Sequence, residues 1–157
     1  MRPVRELRPP PGSLLSNTLE ELPPTGLTLL VAPPASGKTG TLLKLAYRYA
    51  LTLPTLFFTL DRTAEDLAAR LYGAYPATEV SRRQLTFCDD RYTIEEMDHL
   101  ADSGAYSLLM VDDLELITCR DDLIREEKWD RVWQFLERWS RDRPVFAAMG
   151  QRNGCKL

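Results

Sequence analysis

Gly37, Lys38 and Thr39 stand at the end of the stretch Ala32-Pro33-Pro34-Ala35-Ser36-Gly37-Lys38-Thr39-Gly40, and their spacing is that of a loop that wraps phosphate. The pattern is Gly, four residues, then Gly-Lys-Ser/Thr, and it is met here except at the first position, where Ala32 replaces glycine. Each residue type has a task in that chemistry. The loop's backbone N–H groups point inward at phosphate oxygens, and the N-terminus of the following helix adds roughly half a positive charge. Lys38 is expected to reach the outer phosphates, and Thr39 to offer its hydroxyl to a magnesium ion that bridges phosphate oxygens. Residues 32–40 are therefore the expected nucleotide site.

Magnesium needs a second anchor. The segment Leu108-Leu109-Met110-Val111-Asp112 is four apolar residues followed by an acid, which places Asp112 at the carboxyl end of a strand, where open α/β sheets gather their ligands. Hydrolysis also needs a group that orients and deprotonates water opposite the γ-phosphate. Asp61, Asp113 and Glu115 are the candidates, and Asp61 is preferred because it ends the apolar run 55–60. Asp113 and Glu115 read as loop residues in solvent. Gln151, at the end of the last apolar run, is either a γ-phosphate sensor or an exposed polar terminus.

These residues have to be positioned by alternating strands and helices. Residues 27–31 are strand-length and apolar, and Leu42, Leu43, Leu45, Ala46 and Tyr49 follow at helical spacing. Pro54 interrupts that periodicity, and Thr55-Leu56-Phe57-Phe58-Thr59-Leu60 reads as a buried strand. Thr63 and Asp66 then open a helix that Gly73 is expected to close. Residues 75–84 read as a connection, 85–88 as a short strand, and Thr93 with Glu96 as a capping box for a helix to about Ser103. After the strand 106–111, residues 122–142 carry Trp129, Val132, Trp133, Leu136 and Trp139 on one helical stripe. That stripe is expected to be core, with a subunit interface or base stacking on Trp139 as the lesser alternative. Residues 145–149 form the last strand. The alternation predicts an α/β fold with a parallel sheet covered on both faces.

Length and composition agree with one globular domain. The chain has 157 residues, 44% of them hydrophobic and 27% charged, and no apolar run approaches the roughly 18 residues needed to cross a membrane. A cytoplasmic location is expected, because the N-terminal sequence also lacks the apolar centre of a signal peptide. Cys88, Cys119 and Cys155 are too widely spaced for a disulfide framework or a zinc site. A formal charge of −3 supplies no global basic field, so any nucleic-acid surface must be local. The single histidine, His99, has no partner at ligand or triad spacing. Residues 1–24 are proline-rich and read as an arm, with Pro9-Pro10-Pro11-Gly12 excluding helix and sheet alike.

With these residues in place, the chain resembles the ATPase domain of DnaB-like replicative DNA helicases, within the RecA and KaiC superfamily. The stretch LLVAPPASGKT resembles that family's phosphate loop, which itself commonly begins with alanine and has proline in third place. FFTLDRTAEDLAARL resembles the strand and helix that carry a water-activating glutamate, LTFCDD the strand before the second motif, DDLELI the Walker B segment, and residues 144–151 the strand that ends in a γ-phosphate-sensing glutamine. The resemblance covers about 27–151. It implies a three-layer RecA-like P-loop NTPase with a mainly parallel central sheet, over a domain 25–157 that is shortened at its C-terminus relative to the family. It also implies ATP and Mg2+ as cofactors, and a Mg2+-dependent ATPase acting in DNA replication or related DNA transactions. Its expected partners are single-stranded DNA and further subunits of a homo-oligomer or larger ATPase assembly.

Four departures accompany the likeness. Asp61 stands where the family has glutamate, one methylene and about 1.5 Å shorter. Asp113 replaces a tyrosine, the last strand has one extra residue before Gln151, and the region before the loop is not glycine-rich. A regulatory or scaffold subunit that binds ATP and hydrolyses it poorly therefore stands as the alternative. A small-molecule kinase is disfavoured, since no arginine-rich lid is found.

Overall fold

The computed structural model describes residues 4–7, 22–33 and 36–150. Six strands form one sheet, β1 (Val4–Leu7), β2 (Gly26–Ala32), β3 (Thr55–Thr59), β4 (Leu85–Cys88), β5 (Leu108–Asp112) and β6 (Pro144–Gly150), in the order β1-β2-β6-β5-β3-β4. Every pairing is parallel. The helices are α1 (Lys38–Tyr49), α2 (Ala64–Ala74), the short α3 (Ala77–Val80), α4 (Ile94–Ser103) and α5 (Arg125–Trp139), with a 3-10 turn at Leu114–Leu116. No described helix is long and apolar enough to cross a membrane.

Parallel strands are hydrogen-bonded on both sides and covered on both faces, so they need apolar residues at successive positions rather than alternate ones. β3 and β5 are buried along their whole length. The period of two then sorts the side chains between two layers. Leu29 and Val31 of β2, Leu56 and Phe58 of β3, Leu109 and Val111 of β5, and Val145 and Ala147 of β6 pack with α4 and α5. Leu30, Phe57, Leu108, Met110, Phe146 and Ala148 point the other way, onto Leu42, Leu45 and Ala46 of α1 and Leu67 and Leu71 of α2. The result is three layers, with the sheet between two apolar cores.

The tryptophan stripe is core. Trp139 is only 2% exposed, stacks on Phe58 at 6.1 Å and donates its indole N–H to Asp98 Oδ1 at 2.8 Å. Buried to that degree, Trp139 offers no open ring face on which a base could stack. The capping box forms as read, Thr93 Oγ1 accepting from Glu96 N and Glu96 Oε1 from Thr93 N, at 3.3 and 3.1 Å.

Several boundaries differ from the sequence reading. Val4–Leu7 lies within the expected arm yet forms the edge strand β1, paired in register from Val4↔Leu27 to Leu7↔Leu30. Arg5 secures it by donating two guanidinium N–H groups to Thr28 Oγ1 at 3.2 and 3.1 Å. α2 runs through Gly73 to Ala74, because that glycine keeps helical geometry and the chain leaves the helix at an extended Tyr75. The connection 75–84 contains α3, whose neighbourhood is held by Arg83 stacking over the Tyr47 ring and donating to Tyr47 O at 2.8 Å. α5 is shorter than 122–142, since Ile124 already has extended geometry and Ser140 closes the other end.

Candidate nucleotide and magnesium site

β2 ends at Ala32 and α1 begins at Lys38, so the phosphate-loop residues bridge a buried strand and a helix N-terminus. Gly37 precedes the helix with φ of 89°, a left-handed conformation that glycine adopts without steric cost. The first intrahelical bond comes from Thr41 N to Gly37 O at 2.9 Å. The backbone N–H groups of Lys38, Thr39 and Gly40 therefore have no acceptor within the helix. No acidic residue lies in the first turn of α1 and no side chain caps it. Three orphan donors, a helix dipole and an unneutralised N-terminus together fit an anion with several oxygens.

The Lys38 ammonium lies back across the loop and donates to Ala32 O at 2.9 Å, which ties the start of the loop to its end. Thr39 donates its hydroxyl to Asp112 Oδ2 at 2.7 Å. The two residues expected at magnesium, 73 positions apart in sequence, are thus in direct contact. Pro33 and Ser36 flank the loop and are exposed. Pro34, Ala35 and Gln151 lie outside the described residues.

Asp112 is buried at the end of β5, and burial pushes its pKa up, aided by the nearby Asp61 charge. The Thr39 hydrogen bond and the charges of Lys38 and Arg62 act in the opposite direction without cancelling the burial. A half-buried carboxylate follows at once in Asp113, also raised by burial and joined to Asp112 by a cis peptide bond. Among the described residues no group of three or more His, Cys, Asp or Glu could hold a metal alone. The donor set that is present, one buried carboxylate oxygen touching one hydroxyl, fits a hard cation that takes the rest of its shell from water and phosphate, as Mg2+ does.

Asp61 is exposed in the turn between β3 and α2. That turn is held firmly from the Asp112 side. Leu60 N donates to Asp112 O at 2.7 Å, Thr59 Oγ1 to Arg62 O at 2.7 Å, and Ala64 N to Asp89 Oδ2 at 2.7 Å. Thr63 then caps α2 by accepting from Asp66 N at 3.1 Å.

The sequence reading placed Asp113 and Glu115 in a solvated loop, and both turn out to be engaged. Asp113 Oδ1 accepts from Glu115 N at 3.1 Å and caps the 3-10 turn. Glu115 Oε1 accepts from Gly150 N at 2.8 Å, reaching from the segment after β5 to the end of β6. Local sequence gives no sign of this contact, because its partner lies 35 residues away.

No family model and no curated protein sequence matches the chain. Solved structures do. The ATPase domain of G40P superimposes with a TM-score of 0.69 at 15% identity, over 81% of this chain and 57% of that one. The flagellar accessory protein FlaH from Methanocaldococcus jannaschii superimposes with a TM-score of 0.63 at 8% identity, over 79% of this chain and 60% of that one. The chain thus spans less than two thirds of the length of either protein. At these identities the likeness concerns the fold, and it agrees with the all-parallel sheet and flanking helices: the chain has a RecA-like fold.

Proposed function

We propose that the chain binds ATP with Mg2+ at residues 32–40 and Asp112, and hydrolyses it as a DnaB-like ATPase of the cytoplasm that works in DNA replication or related DNA transactions. The observation that carries this reading is the 2.7 Å contact between Thr39 and Asp112 at the mouth of a loop whose helix begins with three orphan N–H groups. The N–H groups of Lys38, Thr39 and Gly40 bind phosphate oxygens, and the Lys38 ammonium neutralises the outer ones. Thr39 and Asp112 hold the ion that, when bound, polarises the terminal phosphates. Asp61 orients and deprotonates the attacking water from the neighbouring turn, and Gln151 senses the γ-phosphate. Further positive charge for the transition state comes from an adjacent subunit in a homo-oligomer, so a lone subunit turns over slowly.

The test is Mg2+-dependent ATP hydrolysis at several protein concentrations, with and without single-stranded DNA, beside a Lys38→Ala control. Turnover is expected to rise with concentration and with DNA, and Lys38→Ala to weaken ATP binding about a hundredfold. Unchanged ATP binding in Lys38→Ala would overturn the site. A second reading, a regulatory subunit that binds ATP without turning it over, draws on the exposed position and short reach of Asp61. Tight binding with no turnover under any of these conditions selects it.

A further inference from the structure

β3 carries a threonine at each end of its buried run. Both are buried, and a buried hydroxyl needs an acceptor. Thr55 Oγ1 donates to Leu53 O at 2.9 Å, where the chain enters the strand. Thr59 Oγ1 donates to Arg62 O at 2.7 Å, where the chain leaves it. That second bond closes a turn over residues 59–62, with Asp61 inside it.

Asp61 is bracketed. Leu60, before it, is anchored through its N–H to Asp112 O, and Arg62, after it, through its carbonyl to Thr59 Oγ1, each at 2.7 Å. Thr59 pairs with Asp112 across the sheet, so the bracket stands directly beside the proposed metal ligand. The Asp61 charge is felt there, since it favours the protonated form of the Asp112 carboxyl. Because Asp61 is exposed, its direction comes from its backbone and not from packing around its side chain. We propose that Thr59 is a positioning residue for hydrolysis: by closing on the Arg62 carbonyl, its hydroxyl holds the Asp61 carboxylate toward the Asp112 end of β5. The inference rests on the role proposed above for Asp61.

Valine has the shape and strand preference of threonine without the hydroxyl, whereas serine keeps the donor. The experiment is single-turnover hydrolysis of radiolabelled ATP with Mg2+, together with Mg2+-ATP affinity. It compares wild type, Thr59→Val, Thr59→Ser, Asp61→Asn and the double variant Thr59→Val/Asp61→Asn. Thr59→Val is expected to lower turnover about tenfold, with Thr59→Ser within about threefold of wild type. If Thr59 acts through Asp61, its effect disappears with the carboxylate, so the double variant is expected within about twofold of Asp61→Asn. Action through the neighbouring Asp112 would instead appear as a loss of Mg2+-ATP affinity equal to the loss of turnover. Such a loss, or a tenfold effect of Thr59→Val that persists in the Asp61→Asn background, overturns this inference alone, as does undiminished turnover in Thr59→Val. A wild type without turnover, or an Asp61→Asn variant as active as wild type, overturns the role of Asp61 and the inference with it. Should Thr59→Val fail to fold, Thr59→Ala takes its place, since it also lacks the hydroxyl and fits the same space.

Discussion

The two halves of the candidate site are built to different standards. The half that would hold phosphate and metal is rooted in the sheet: Asp112 ends a wholly buried strand, Thr39 is hydrogen-bonded to it, and Lys38 is tied back to Ala32. The half that would activate water is a turn whose Asp61 side chain is exposed. One residue serves both. Asp112 accepts Thr39 through its carboxylate and Leu60 through its backbone carbonyl, so the Asp61 turn is hydrogen-bonded to the strand that carries the proposed metal ligand. Under the proposed function, binding would therefore depend on buried, preorganised groups, and the rate of hydrolysis on one surface side chain of short reach.

The sharpest way to break that division is at Asp61. Asp61→Asn removes the proposed base without altering the loop, and turnover is expected to fall by about a hundredfold or more while ATP affinity stays the same. Asp61→Glu adds the missing methylene, and turnover is expected to rise about tenfold if reach is what limits the wild type. Single-turnover kinetics with radiolabelled ATP measure both. Equal rates in all three proteins would move the catalytic assignment away from Asp61 and favour the regulatory reading.

Asp112→Asn tests the buried half and sets function against stability. The Asn carbonyl still accepts the Thr39 hydroxyl, but the charge proposed to attract Mg2+ is gone, and Mg2+-dependent ATP affinity is expected to fall about 10–100-fold. Stability goes the other way. Burial raises the Asp112 pKa in the folded protein, so the carboxyl is neutral in both states at low pH. As pH rises past the ordinary carboxylate range, the unfolded chain ionises first, and stability is lost until the raised folded pKa has been passed. Asp113, raised by burial as well, adds a loss of the same sign. The ligand-free Asn variant is therefore expected to melt about 2–4 °C above wild type at pH 7, with the gap closing at acid pH. Thermal melts without nucleotide from acid to neutral pH check the sign, and a wild type more stable than the variant at pH 7 would refute it.

How much of this was legible in sequence follows from how far apart the cooperating residues lie. The strand, loop and helix around Lys38 were readable because an apolar run, a Gly-Lys-Thr and a helical stripe are all local signals. Asp112 was readable because four apolar residues precede it. β1 was not, since Val-Arg-Glu-Leu is a short, charged edge strand beside a proline run, and its register comes only from contact with β2. α3 was hidden for a similar reason: Arg83, Tyr47 and Tyr75 hold that corner together, with the two tyrosine rings 3.7 Å apart, and no periodicity announces them. Glu115 was misread as solvated because its hydrogen-bond partner exists only once β5 and β6 lie side by side.

The smallest expected effect concerns the stiffness of the Asp61 turn. Asp89, just beyond the edge strand β4, accepts the Ala64 N–H at 2.7 Å, so a side chain from the segment after that strand shares with Thr63 the work of holding the first turn of α2. Losing a capping acceptor of this kind costs about 0.5–1 kcal/mol, and Asp89→Ala is expected to lower stability by that amount. The remaining restraints on the turn, Leu60 to Asp112 and Thr59 to Arg62, stay in place, so Asp61 is loosened and not displaced. Turnover should then fall only about two- to fivefold, with ATP affinity unchanged, because a carboxylate that is mispositioned part of the time still acts when in place. Urea denaturation and steady-state kinetics on the same preparation separate the two quantities. A fall in ATP affinity would show that the halves of the site are coupled through more than Asp112, and a stability loss with no change in turnover would show that Asp61 does not depend on the α2 cap.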